Sequence, residues 1–398
     1  MMQHRLCCLI LMTGLLALKA TADTAGISPS RDDVCDWIRA AKTASTDIST
    51  LPYHTESVTV RFRPSVADWR LAMVDIRDAA DRPLMLIRVV PDCRPFEARR
   101  LHRTDNGLVD RIEVLAPDIG TIITVEPQNP PLPQLPTGDG TALLAHVDTG
   151  VNYLLPALQP HLARDRQGRP VGYDFWDDDD RPFDADPRGN PYFPQHHGTT
   201  VFSVLAREAP DIGIAIYRFP APDMCRFGDL ITHMAHREVR IVSLSMGSHE
   251  ISDWTCFEVA AKANPQMLFI VSAGNDGRDL DRVPVFPAAL SLVNMVVVTS
   301  SDEFGRLGAG SNIGKATVDL MVPAERVEVI DHRGARAVTG GTSYAAPRVA
   351  ALAARFLRAN PDAGTSDIIR FLETRAIDSP DPSLAQGWIP DPTDNFGF

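Results

Sequence analysis

The chain has 398 residues, 44% of them hydrophobic and 23% charged, an ordinary globular composition with room for one large unit and a smaller one. Its formal charge is −12, most of it carried beyond Pro136, which argues against nucleic acid or an anionic membrane surface as a partner. Arginine greatly outnumbers lysine, which occurs only at 19, 42, 262 and 315.

Residues 1–22 read as an export signal. Arg5 supplies a short positive region, Leu6 to Leu18 an apolar core, and Ala20-Thr21-Ala22 a small-x-small cleavage site. The core is too short to span a bilayer, and no later segment reaches about 18 uninterrupted apolar residues. The expected location is therefore secreted or periplasmic, with no membrane partner. Cys7 and Cys8 leave with the leader, so Cys35, Cys93, Cys225 and Cys256 remain. An even number in an oxidising compartment suits two disulfides. Pairing Cys35 with Cys93 and Cys225 with Cys256 keeps each bridge within one unit, although three pairings are open. None is spaced as Cys-x-x-Cys, so metal binding by cysteines is not expected.

Residues 23–126 open with a helix around Val34 to Ala41 and then turn strand-like. Ser57 to Phe62 alternates, Leu71–Ile76 and Leu84–Val90 flank an Asp81-Arg82-Pro83 turn, and Val109–Leu115 and Ile119–Val125 form another pair. The reading is a small β-rich domain, either a prosegment or a permanent accessory module. Prolines crowd residues 127–140, which predicts an extended, exposed linker.

From 141 to 377 short apolar runs alternate with helix-like stretches. The runs are Leu143–Val147, Ile212–Tyr217, Ile241–Leu244, Leu268–Val271, Met295–Thr299 and Val318–Val322. The helices are expected at Thr199–Arg207, Phe227–Arg237, Phe257–Ala263 and Ser343–Leu357. Strands buried on both faces and separated by helices predict an α/β fold with a mostly parallel sheet flanked by helices. Ligand chemistry in such sheets gathers at the carboxyl ends of the strands. Asp148, Ser245-Met246-Gly247 and Ala273-Gly274-Asn275 all fall at such ends. Residues 378–398 read as a C-terminal tail.

Three motifs carry chemistry: Asp148-Thr149-Gly150, His197-Gly198-Thr199 and Gly341-Thr342-Ser343. A serine hydroxyl is a weak nucleophile unless a base removes its proton, and the base must be oriented by a third group. An aspartate at a strand end and a histidine and a serine at helix starts supply those roles. In this order, with these flanks, the motifs resemble those of the subtilisin-like serine peptidases over roughly residues 141–375.

The resemblance implies Ser343 as nucleophile, His197 as general base and acid, and Asp148 as orienting carboxylate. Asn275 matches the oxyanion-hole asparagine, acting with the backbone N–H of Ser343. Ser245, Met246 and Gly247, with Ala273 and Gly274, match the segments that pair with an extended peptide and wall the pocket beside the scissile bond. The implied partner is a protein or peptide substrate, and no redox or nucleotide cofactor is implied. Calcium is frequent in the family, and the acidic run from Asp174 through Asp177–Asp180 to Asp184 and Asp186 is the place where clustered oxygens would take it. Departures are specific: Thr200 and Ser203 stand where the family has a second histidine and a glycine, Arg348 stands where histidine is frequent, and the proline-rich linker almost abuts the Asp148 strand.

Other histidines read more blandly, His196 as a loop residue and His146 as a satisfied core histidine. Three rival functions need features the sequence lacks. An aspartic peptidase needs a second Asp-Thr-Gly, which is absent. An α/β-hydrolase esterase needs Ser, Asp, His in that order, and the order here is different. A catalytically impaired binding protein of the same fold would require a lost catalytic group, yet all four expected residues are present.

Overall fold

The computed structural model describes residues 28–395 and 397, apart from 45–47, 66–67, 380 and 382–383. The expected export signal lies outside these residues. No described helix is long and apolar enough to cross a membrane.

The N-terminal unit begins with helix α1 (Arg31–Thr43), started by a reciprocal capping box between Ser30 and Asp33. Seven strands follow as an antiparallel meander: β1 (Ile48–Tyr53), β2 (Glu56–Pro64), β3 (Trp69–Arg77), β4 (Pro83–Val90), β5 (Arg94–Arg103), β6 (Val109–Leu115) and β7 (Ile122–Pro127). Val34, Trp37, Ile38 and Ala41 of α1 pack on one face, against Val58, Val60, Val74, Ile76, Met85 and Ile87. The other face receives Tyr192 and Phe193 from the following unit, beside Leu86, Leu101 and Ile112.

The second unit is built on a nine-stranded sheet. Its strands are β8 (Leu144–Asp148), β9 (Gly172–Asp174), β10 (Ile214–Arg218), β11 (Ile241–Leu244), β12 (Leu268–Ser272), β13 (Met295–Ser301), β14 (Leu320–Pro323), β17 (Ile377–Asp378) and β18 (Gly387–Trp388). The order is β17-β18-β14-β13-β12-β11-β8-β10-β9, parallel throughout except for the β17–β18 pair. The segment read as a C-terminal tail thus adds a strand beside β14. A separate hairpin, β15 (Val327–Ile330) with β16 (Arg336–Thr339), leads into the serine motif.

Alternate residues of the central strands β8 and β10 to β13 feed two cores, which is why these strands read as continuous apolar runs. Ile214 and Ile216 face the side covered by α2 (Gly198–Glu208) and α5 (Thr342–Ala359). Ala215 and Tyr217 face α3 (Phe227–His236) and α4 (Thr255–Ala263) on the other side. Helix α6 (Thr365–Arg375) packs beside α5 through stacked Phe356 and Phe371.

The start of the 127–140 segment is buried, whereas residues 131, 134 and 136–139 are exposed. Gln128, Asn129 and Pro130 are buried, and Leu132 and Leu135 pack on the core of the second unit. Tyr153 Oη donates to the Pro130 carbonyl at 2.6 Å, and the Leu135 N–H donates to Gly168 O at 2.8 Å. Prolines make this segment stiff, and its carbonyls and leucines find partners on the surface they cross.

Of the expected disulfides, Cys225–Cys256 is formed, joining the segment before α3 to α4. Cys35 and Cys93 are free thiols. Cys93 has left-handed backbone (φ 58°), and its carbonyl faces α1, where it accepts from Cys35 Sγ at 3.7 Å and Arg31 Nε at 3.2 Å. Burial, with Cys93 beside it, pushes the Cys35 thiol up to about 11.

Candidate active site

Strands β8, β11 and β12 lie side by side, so Asp148, Ser245–Gly247 and Ala273–Asn275 emerge at one edge of the sheet. Asp148 is 2% exposed. Its Oδ1 accepts from the Thr149 N–H at 2.7 Å and lies 2.7 Å from His197 Nδ1. A carboxylate can only accept here, so Nδ1 carries the hydrogen and the lone pair of the ring is at Nε2. Burial disfavours the imidazolium, but Asp148, with Asp184 and Asp186 beyond it, outweighs that and raises the His197 pKa above the ordinary histidine value.

His197 caps the start of α2, and Ser343 is the second residue of α5. The two helices pack against each other, with Thr200 Oγ1 donating to His197 O at 2.7 Å and lying 3.1 Å from Tyr344 Oη. Their close approach to the Asp148 turn depends on Gly198: a Cβ there would sit 2.0 Å from the Gly150 carbonyl oxygen. Ser203, another of the departures, accepts from the Ile330 N–H at 3.0 Å and ties α2 to β15.

Pro347 stands inside α5. Lacking an N–H, it cannot bond the carbonyl four residues back, which is that of Ser343. Ser245 Oγ donates to this carbonyl at 2.9 Å instead. Ser245 is therefore brought to the site, with its hydroxyl committed to the serine's main chain.

Asn275 Oδ1 accepts from the Thr342 N–H at 3.0 Å, and Thr342 Oγ1 lies 3.2 Å away. An N–H can only donate, so this contact fixes the amide orientation and leaves Nδ2 as the outward group. Thr342 is fully buried, and its Oγ1 accepts from the Gly274 N–H at 3.1 Å. Gly341 takes φ 119° where the chain turns into α5 beside Asn275. Met246 packs partly against the core and Gly247 is exposed, while Ser248 beyond them pairs with Phe286.

Two further residues contribute, Asn312, which has no signal in the sequence, and Asp184, which reads there only as part of the acidic run. Asn312, fully buried, donates through Nδ2 to Ala273 O at 2.8 Å and accepts from the Asp276 and Arg278 N–H groups at 3.0 and 2.8 Å. It holds the Ala273–Asn275 turn in shape. Asp184, also fully buried, accepts from Thr149 Oγ1 at 2.6 Å and from the Thr199 N–H at 2.8 Å. Burial alone would raise its pKa, but the His332 ring and those two donors bring it down to about 2. Asp184 thus fastens the aspartate turn to the start of the histidine helix.

His196, read as a loop residue, donates Nδ1–H to Asp184 O at 2.6 Å and stacks on His332. His146 is fully buried as expected, beside the main chain of Gly198, and neither ring nitrogen takes a side-chain partner. Its burial lowers its pKa and keeps it neutral.

The acidic run does not fit a calcium ion. Arg218, 3% exposed, takes Asp174 at 3.0 Å and Asp177 at 2.6 Å. Arg226 takes Asp178, Arg181 takes Asp179, Arg169 lies near Asp180, and Arg188 takes Asp186. Guanidinium groups thus lie against every carboxylate of the run except Asp184, and the excess of arginine acquires a structural meaning.

Comparison with known proteins agrees with this architecture. The subtilase family model matches residues 139–388. A thermophilic serine proteinase of Bacillus sp. (strain AK1) is 29% identical over 227 residues, 53% of this chain and 51% of the relative. A halolysin-like extracellular serine protease of Natrialba magadii is 26% identical over 255 residues, 61% of this chain and 44% of the relative. The chain thus spans about half the length of the curated relatives it matches. The epidermin leader peptide processing serine protease of Staphylococcus aureus superposes with a TM-score of 0.52 at 17% identity, over 64% of this chain and 75% of that one, which speaks to the fold alone. With the family match covering well over half its length, the chain belongs to the subtilase family.

Proposed function

We propose that the protein is an exported serine endopeptidase that cleaves protein or peptide substrates through Asp148, His197 and Ser343, with Asn275 in the oxyanion hole. The observation that carries this reading is the 2.7 Å contact between Asp148 Oδ1 and His197 Nδ1, made where the N-termini of α2 and α5 meet. With Nδ1–H held by Asp148, Nε2 is the atom that takes the Ser343 proton as Oγ attacks the scissile carbonyl. The developing oxyanion is met by Asn275 Nδ2 and the Ser343 N–H, one of the main-chain donors that the first turn of a helix leaves without intrahelical partners. His197 then gives its proton to the leaving amine, and a water deprotonated by the same nitrogen releases the acyl group from Ser343.

Substrate is proposed to lie extended between Ser245–Gly247 and Ala273–Asn275, pairing with main chain. Export is supported by the leader-like N-terminus, by the Cys225–Cys256 disulfide and by the extracellular relative. Labelling with a fluorescent fluorophosphonate followed by peptide mapping tests the assignment. The label is expected on Ser343 and lost in Ser343→Ala. Label on another serine, or none on folded protein, overturns it and favours the impaired binding protein.

A further inference from the structure

Asp184, His196 and His332 lie on segments far apart in sequence, and one potential ligand atom from each falls within 4.8 Å of the other two. Asp184 and His196 belong to the loop that leads into α2, and His332 to the turn Asp331–Gly334 between β15 and β16. The two imidazoles stack with centroids 3.6 Å apart and planes 13° from parallel. His332 Nδ1 is buried, lies 3.6 Å from Asp184 Oδ2 and has no hydrogen-bond partner. A buried donor or acceptor left unpaired costs about 1–3 kcal/mol, so the fold has a reason to supply a partner.

We propose that Asp184, His196 and His332 bind a divalent ion of the zinc class. Two imidazoles and a carboxylate suit zinc, and three protein ligands leave further positions for water. The surroundings are those of prepared ligands. His196 donates its Nδ1–H to a backbone carbonyl at 2.6 Å, which places its lone pair on Nε2 and fixes the ring. Asp184 accepts one hydrogen bond on each oxygen, from Thr149 Oγ1 and the Thr199 N–H, and keeps lone pairs for an ion. The main chain at His332 is held by Asn152 Nδ2, which donates to its carbonyl at 2.8 Å.

Stacked rings direct their lone pairs side by side, not at one point, so one ring turns when the ion enters. His196 is pinned by its Nδ1–H, so His332, packed between His196 and the edge of Phe183, is the ring that must turn. Metal–ligand bonds of about 2.0–2.1 Å imply ligand atoms roughly 3.4 Å apart, so the site closes by up to roughly 1.4 Å from the 4.8 Å spacing here. The bound ion joins the β15–β16 turn to the loop that ends at His197. This site is independent of the peptidase reading, because binding is measured without turnover.

The test uses the full chain carrying Ser343→Ala and His197→Ala, which removes self-digestion and the other histidine able to take zinc at this edge. After chelator treatment, one equivalent of zinc is expected to bind and to raise the unfolding temperature, as any ligand of the native state does. X-ray absorption at the zinc edge should report two imidazole nitrogens and oxygen at about 2.0–2.1 Å. His332→Gln, in the same background, should weaken binding by at least about tenfold, the lower end for loss of one part of a metal site. A spectrum with fewer than two imidazoles, or unchanged affinity in folded His332→Gln, overturns the proposal. If that variant fails to fold, the absorption spectrum of the intact site decides alone.

Discussion

Arg348 Nε lies 2.9 Å from Glu208 Oε1 and 3.2 Å from Oε2, so the helix that carries Ser343 is bonded to the last residue of the helix that begins beside His197. Glu208 is nearly inaccessible, and its main-chain carbonyl also accepts from Arg355 of α5 at 2.7 Å. Arginine at 348, which departs from the family pattern, therefore has a partner in this chain. Replacing Glu208 with glutamine leaves a buried guanidinium without its counter-charge and should destabilise by about 3–5 kcal/mol. Denaturant unfolding measures this. The double variant Arg348→Met/Glu208→Leu should recover most of the loss, and a double variant no better than Glu208→Gln would count against the pair as the cause.

Asn275→Ala should lower kcat by about 10²–10³ with little change in KM, the cost of losing one oxyanion donor, because the amide meets charge present mainly in the transition state. Thr342→Val removes the hydroxyl while the backbone N–H still holds Asn275, so its effect should be smaller. Steady-state kinetics on a chromogenic peptide separate the cases. A large KM rise at constant kcat in Asn275→Ala would place that residue in ground-state binding.

Ser245→Ala should reduce stability by about 1–3 kcal/mol, because Pro347 offers no N–H to replace the lost hydroxyl at the Ser343 carbonyl. Fluorophosphonate labelling of Ser343 should persist in the folded variant. Loss of labelling without loss of stability would give the Ser245 hydroxyl a direct chemical role instead.

The candidate site is legible where a single motif marks a single proposed role. Asp148, His197 and Ser343 stand at element ends marked by glycines, and β8 and β10 to β13 read as apolar runs because both faces are buried. Asn312 was not legible, and Asp184 was legible only as part of the acidic run, since the partners of each are distant in sequence. The acidic run misled because its neutralising arginines, such as Arg218 and Arg226, lie about 40 residues further on. Strand β5 was missed for a related reason. Its polar positions carry Glu97, Arg99 and Arg100, which are satisfied across the sheet by Arg88, Glu126 and Glu113. Strand β18 is two residues long and shows no periodicity.

Activity should fall on the acid side as His197 gains a proton, because only the neutral ring accepts from Ser343. Asp148 favours the charged ring and raises the pKa, so the midpoint of this limb should lie above the ordinary histidine value of about 6.5. Asp148→Asn removes that bias and should move the midpoint down while lowering kcat. A pH profile of kcat/KM checks both. An optimum near pH 3–4, where paired carboxylates work, would revive the aspartic reading.

The N-terminal unit is expected to remain attached in active protein. Its sheet holds the loop that runs into His197. Tyr192 Oη donates to Asp75 at 2.9 Å, the Tyr192 carbonyl accepts from Arg99 at 3.1 Å, and the Arg88 and Arg99 guanidiniums lie 4.4 and 4.2 Å from the centre of the Phe193 ring. Removing the sheet would expose two aromatic side chains four and five residues before the proposed base. The start of the connecting segment is a poor site for nicking, because residues 128–130 are buried and Asn129 bonds Asp179 at 2.7 Å. A cut there would also leave the Asp148 strand close to a chain end. N-terminal sequencing of phosphonate-reactive protein should therefore begin near Asp23. A start between Val125 and Ala142 in that species would show that the unit is a prosegment, released after it has guided folding.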